Sequence, residues 1–282
     1  MKEENDSSVR FLYGTVVGRS LLKLIQKLHA DRLIVRYLRS DWSQPFLRWY
    51  VRRNAIPVTP EELRQYRSFR DFFVRERECL EADITPGHLI SPCDGWMKAY
   101  PIAESSSFAI KRSRYQVKDF LQDAGLAERY RGGTCLVFRL CASDYHHYSY
   151  IDDGYQGQNH YIEGQLHSVQ PIACGTYPVF VLNRRSWCLL ATENFGPVVQ
   201  TEIGALIVGG IANREGDSRF CRGQEKGHFE LAGSTIVLLF ERERIQLLPE
   251  LAAKLGEGGE VRVEQGMWIA NSCKRDKALH VL

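Results

Sequence analysis

Apolar positions in this chain change texture near residue 88. Before that point they recur at helical spacing, and after it they come as short runs separated by Gly, Asp and Asn. Val17, Leu21, Leu24 and Leu28 follow i, i+4, i+7, i+11 spacing with Leu22 and Ile25 beside them. Arg19, Lys23 and Lys27 fall off that stripe, so the pattern predicts helix over 9–39. Trp42-Ser-Gln-Pro-Phe-Leu-Arg-Trp-Tyr50 follows, rich in the aromatic residues that favour a membrane–water boundary. Thr59-Pro-Glu-Glu62 carries the signature of a capped helix start, and Ser68-Phe-Arg-Asp71 a second one, with Phe69, Phe72 and Phe73 as its apolar face. These two starts read as punctuation rather than chemistry.

The later runs predict strands over 134–140, 179–182, 187–191, 197–212, 235–241, 244–248 and 260–264, interrupted by one helix from about Val117 to Arg129. No internal repeat is visible. The expected fold is mainly β (α+β): a packed β-sheet domain over 59–282, read as two packed sheets, with amphipathic helices over 1–58 in front.

Composition removes several classes. With 282 residues, 44% apolar and 25% charged, the chain suits a sizeable core and neither a disordered polymer nor a disulfide miniprotein. No run reaches the roughly 18 apolar residues of a spanning helix, and the acidic opening Met1-Lys-Glu-Glu-Asn-Asp6 does not read as a signal peptide. The eight cysteines are scattered, with no zinc spacing, which favours a reducing compartment and predicts no metal site.

Charge is unevenly placed. Residues 7–55 carry ten Lys/Arg against two Asp, while the whole chain is only +3. The front end therefore suits an anionic partner, either a bilayer surface or nothing more than solvent around an ordinary basic helix face. No nucleic-acid motif accompanies it.

Three segments hold polar residues that folding does not require. Ser91-Pro-Cys-Asp-Gly95 makes a tight turn presenting Asp94. Ser143-Asp-Tyr-His-His-Tyr-Ser-Tyr150 follows an apolar strand. Alternation there puts Asp144 and His146 on one face and His147 on the other, and a carboxylate beside an imidazole fixes its tautomer. Gly233-Ser234 opens the apolar run Thr235-Ile-Val-Leu-Leu-Phe240, and a serine there could act as nucleophile given a base. Each segment alone has a bland reading: a β-turn, an edge histidine, a loop serine.

Taken together and in order, these segments resemble the phosphatidylserine decarboxylase family. The resemblance runs through Phe69-Arg-Asp-Phe-Phe73, Ser91-Pro-x-Asp-Gly95, Asp144-Tyr-His146, Glu202-Ile-Gly-Ala205 with Val208-Gly209, Gly223-x-Glu-x-Gly227 and Gly233-Ser-Thr235, covering about residues 60–270. It implies self-cleavage between Gly233 and Ser234, giving a large and a small chain, with Ser234 becoming a covalent pyruvoyl cofactor. It further implies decarboxylation of phosphatidylserine to phosphatidylethanolamine through a Schiff base to that group. Asp94 is then the orienting acid, and His146 the proton donor to the substrate carbon.

One position departs from the family pattern. The second histidine of Asp-Tyr-His-x-x-His is Ser149 here, which leaves His146 or His147 as the self-cleavage base. The other readings are a pyruvoyl-dependent decarboxylase of a soluble amino acid and an unprocessed lipid-binding relative. The resemblance also implies a peripheral protein on the cytoplasmic face of the cell membrane, and it is compatible with a homodimer.

Overall fold

The computed structural model describes residues 7–27, 30–77, 80–110, 113–141, 143–165, 167–168, 171–205, 210–231, 234–256 and 258–273. Its centre is a nine-stranded antiparallel sheet. In spatial order the strands are Ser218–Phe220, Gly154–Gln156, Arg185–Thr192, Gly196–Ile203, Ser234–Phe240, Thr134–Leu140, Gly95–Pro101 and Val261–Val263, with His160–Ile162 also paired to Arg185–Thr192. Ser234–Phe240 lies in the middle, and all seven of its residues are buried.

Side chains alternate across the sheet and find a core on both faces. Val237 and Leu239 join Val137, Val199, Trp187 and Phe120 on one side, whereas Ile236, Leu238 and Phe240 join Phe138, Leu190, Val198 and Phe195 on the other. Two-sided burial is why these strands read as unbroken apolar runs instead of alternating ones. A three-stranded sheet of Ile211–Asn213, Glu225–Phe229 and His147–Ser149 contributes Ile211, Tyr148 and Phe229 to the second core. A further small sheet pairs His88–Ile90 and Ile245–Leu247 with Trp268–Ser272. The mainly β fold expected from the sequence is therefore the one observed.

The front end is helical but segmented: Ser7–Gly14, Val16–Lys27, Ala30–Leu38 and Gln44–Arg53. The first break falls at Thr15, whose hydroxyl accepts the Gly18 amide at 2.9 Å and so caps the second helix. Both capping boxes form, Thr59 with Glu62 and Ser68 with Asp71. Phe69, Phe72 and Phe73 build a third core with Leu38, Leu47, Val51 and Leu231.

Local expectations differ from the structure in three places. The helix expected over Val117–Arg129 is two, Val117–Leu121 and Ala124–Arg129, because Gln122 takes the left-handed conformation at φ 55°. Residues 179–182 form the short helix Val179–Leu182, since four apolar residues carry no period that separates helix from strand. The run 197–212 is two strands, Gly196–Ile203 and Ile211–Asn213. Leu28 of the apolar stripe lies outside the described residues.

Candidate active site

Strand register gathers the chemistry at one end of the central sheet. Ser234 opens its strand opposite Leu140, the last residue of Thr134–Leu140, and Gly95 opens the strand on the far side of Leu140. Three adjacent strand ends therefore present Ser234, the turn after Leu140, and Asp94 within about 10 Å of one another across two inter-strand spacings. Gly95 makes that closeness possible. Its φ is 151°, and an added Cβ would stand 2.7 Å from the Arg139 carbonyl oxygen. Gly233 lies outside the described residues.

Ser234 is fully buried, and among the described residues its Oγ has no hydrogen-bond partner. A buried hydroxyl without a partner costs about 1–3 kcal/mol. Tyr115, Thr201 and Thr235 share that property, and what sets Ser234 apart is its place at the strand end beside the Asp94 turn. The His146 Nδ1 lies 2.8 Å from the Asp144 backbone carbonyl, which only accepts, so Nδ1 carries the proton and Nε2 holds a bare lone pair. That Nε2 is buried and unpartnered. Burial pushes the ring's pKa down to about 4, against a weaker opposing pull from Asp144, so the imidazole is neutral at physiological pH.

The sequence pairs the Asp144 carboxylate with His146; the structure substitutes the Asp144 backbone carbonyl. The carboxylate instead accepts the Cys141 amide at 2.6 Å and Arg262 at 2.8 Å, closing the turn between Leu140 and His146. Asp94 is held in a similar way. One oxygen takes the Gln265 amide at 2.9 Å and the other takes Arg77 at 2.6 Å. Both carboxylates raise the buried Cys93 thiol, although burial is the larger cause, which confirms that they share one neighbourhood.

Ser149 is fully buried, and both its amide, at 2.8 Å, and its hydroxyl, at 3.4 Å, donate to the Pro92 carbonyl in the Asp94 turn. The position of the family's second histidine thus lies against the Asp94 turn. His147 faces elsewhere. Its Nε2 lies 3.1 Å from the Val74 carbonyl and its Nδ1 3.0 Å from Glu225, and its ring is sandwiched between Tyr145 and His228. Its two ring nitrogens thus face the Val74 carbonyl and Glu225 rather than Asp94 or Ser234.

Several residues of this region escaped sequence reasoning. Phe73 stacks on His146 with ring centroids 4.1 Å apart, and Arg70 binds Glu230 at 2.8 Å, four residues ahead of Ser234. The segment read as helix punctuation therefore supports both the histidine and the approach to the serine. Arg39, just past the third helix, joins the other oxygen of Glu230 at 2.6 Å. Burial works to raise the Glu230 carboxyl, but Arg70 and Arg39 outweigh it and hold it below the usual carboxylate range.

Beneath the small sheet, Lys226 and Glu202 form a fully buried ion pair at 2.8 Å. Asn213 bonds both partners, and Gln200 donates to Glu202 at 3.1 Å. Glu202 sits opposite Ile236, one diagonal step from Ser234 on the same sheet face. The resemblance already marked Glu202 and the Gly223–Gly227 segment, but no local pattern in the sequence pairs Lys226 with Glu202.

Comparisons with known proteins identify the family. Residues 68–267 match the family described as phosphatidylserine decarboxylase. The chain is 37% identical over 276 residues to phosphatidylserine decarboxylase proenzyme 2 of Clostridium acetobutylicum, covering 96% of this chain and 94% of that protein. It is 31% identical over 271 residues to the phosphatidylserine decarboxylase proenzyme of Clostridium perfringens, covering 93% and 92%. The corresponding protein of Desulfitobacterium hafniense is 31% identical over 282 residues, covering 97% and 95%.

Proposed function

Because the chain belongs to the phosphatidylserine decarboxylase family, whose members are carbon–carbon lyases, we propose that it converts phosphatidylserine to phosphatidylethanolamine and carbon dioxide after cutting itself between Gly233 and Ser234. The observation that carries this reading is Ser234 Oγ, buried and without a partner among the described residues at the strand end beside the Asp94 turn; His146 Nε2, on the segment that follows the turn after Leu140, shares that property.

In this reading His146 Nε2 takes the Ser234 proton. The Oγ attacks the Gly233 carbonyl, the amide bond breaks, and an ester forms. Loss of the Ser234 α-proton then expels the Gly233 carboxylate, and water converts the resulting dehydroalanine to a pyruvoyl end with release of ammonia. The position fits the group: Ser234 is sealed from solvent and fixed by strand pairing, so it holds a reactive carbonyl in place. The pyruvoyl group supplies an electron-accepting carbonyl pair for carbon dioxide loss, as a pyridoxal cofactor does elsewhere. His146 then returns a proton to the substrate carbon. Asp94, paired with Arg77, anchors the turn whose Pro92 carbonyl accepts Ser149, and Asp144 sets the tautomer of His146 through its backbone.

Lipid access follows from the helices. Among the described residues, nine of thirteen exposed large apolar side chains fall between Phe11 and Trp49, which concentrates them on the basic front end. Val17, Leu21 and Leu24 of the stripe are 69%, 42% and 51% exposed, and Trp42 is 83% exposed. Within the described residues no helix is long and apolar enough to cross a membrane. An outward apolar stripe flanked by arginines suits flat insertion into an anionic bilayer surface.

Intact mass under denaturing conditions tests the processing. Two chains split after Gly233, the smaller one lacking one ammonia relative to a serine terminus, support the reading. Release of carbon dioxide from phosphatidylserine vesicles, with none from free amino acids, supports the substrate. A single uncut chain that still binds vesicles would favour the unprocessed lipid-binding relative that Ser149 raises.

A further inference from the structure

A β-bulge brings three potential metal ligands onto one face of the small sheet. In the pairing of Glu225–Phe229 with His147–Ser149, His228 lies opposite His147 and Gly227 opposite Tyr148, but Glu225 lies opposite Ser149. One residue, Lys226, is extra. In a regular strand Glu225 and His228 would face opposite sides, being three apart. The bulge removes that mismatch, as bulges do when they re-aim a side chain. It sends Lys226 inward to Glu202 and turns Glu225 to the face that holds both histidines.

The resulting cluster has the chemistry of a zinc-type site. Glu225 Oε1 lies 3.0 Å from His147 Nδ1 and 3.7 Å from His228 Nδ1, and the three donor atoms lie within 4.8 Å of one another. Tetrahedral zinc with bonds of about 2.0–2.1 Å places its ligand atoms about 3.3 Å apart, between those two distances. The remaining nitrogen of His147, Nε2, lies 3.1 Å from the Val74 carbonyl. A backbone acceptor there fixes the proton on Nε2 and presents Nδ1 to the cluster, as the outer partner of a ligating histidine does. Glu225 is 52% exposed, so an ion has a path in and water has access to a fourth position.

We propose that His147, Glu225 and His228 form a binding site for a divalent transition-metal ion, with Zn2+ as the best chemical match. The ion replaces protons on the cluster and ties three segments together: the strand that follows His146, the strand that leads toward Ser234, and the Val74 end of the Phe69–Phe73 helix. This site accounts for histidines that the proposed self-processing does not use, and it does not depend on that processing.

The test uses the full chain after chelator treatment and dialysis. Calorimetric titration with Zn2+ is expected to give one ion per chain, and Co2+ to give the visible absorption of a four-coordinate site. Glu225→Gln, at an exposed position that the fold does not need, and His228→Ala each weaken binding by at least about tenfold. Cys221→Ser and His160→Ala, both away from the cluster, leave it unchanged. Circular dichroism of each variant without metal separates lost ligation from lost fold. Absence of saturable binding, or binding equal in Glu225→Gln and the parent, overturns the proposal.

Discussion

The strand Ser234–Phe240 and the helix Val16–Lys27 are both rich in apolar residues, and the structure treats them in opposite ways. Every side chain of the strand is buried between two cores, whereas the helix buries Leu22 and leaves Val16, Val17, Leu21 and Leu24 in the open. Periodicity in a sequence shows that a face is meant to be covered. It does not say whether protein or something else covers it. The charge pattern carries that second message: buried charges in the sheet are few and satisfied, Lys226 by Glu202 and Arg185 by backbone carbonyls, while the helical front end is strongly basic.

Substitutions that treat the two regions alike should sharpen this contrast. The largest stability loss is expected inside the sheet region at Lys226→Ala, about 3–5 kcal/mol, because Glu202 would remain buried without its partner. Leu238→Ala should cost about 2–5 kcal/mol through lost burial and the cavity left behind. Denaturant unfolding measures both.

On the helix, Val17→Asp with Leu24→Asp should change stability by no more than about 0.5 kcal/mol per site. The same pair should weaken binding to anionic vesicles by well over tenfold, since each apolar side chain contributes about 1.5–3 kcal/mol when buried. Co-sedimentation at fixed ionic strength is the check. Unchanged vesicle binding, or a loss of stability as large as that of Leu238→Ala, would break the comparison.

The smallest expected effect lies at the junction of the two regions. Glu230→Gln should cost about 1 kcal/mol, because Arg39 and Arg70 are both partly exposed. The folded carboxyl is held below its unfolded value, so its contribution is complete above about pH 5 and fades as pH falls through the lowered value. Parent and variant stability curves should therefore converge at acid pH and separate toward neutrality.

The sequence made most apolar strands legible, including the short Ile245–Leu247 and Val261–Val263, but missed the seven-residue Gly95–Pro101 and several three-residue strands. Residues 134–140 and 187–191 were readable because two-sided burial writes four or five apolar positions in a row, 135–138 and 187–191. His88–Ile90, His147–Ser149 and Gly154–Gln156 span three residues each, too few to show a period of two. The candidate site was legible through the resemblance at Asp94, Asp144, His146 and Ser234. Its supports were not: Arg77 meets Asp94, Arg262 meets Asp144 and Arg39 meets Glu230 across 17, 118 and 191 positions, and no local pattern encodes such pairings. The helix Phe69–Phe73 was placed correctly, but its contact with His146 depends on how two distant segments cross.

The register of Ser234–Phe240 has one more consequence. The strand is paired along its length with Thr134–Leu140 on one side, and from Thr235 to Leu239 with Gly196–Ile203 on the other. A cut ahead of Ser234 severs the chain without severing the sheet. The carboxy-terminal piece then behaves as the minor half of a split protein, retained by hydrogen bonds and burial alone. Its release would require the sheet itself to come apart, so a single break in the backbone need not cost the molecule its fold.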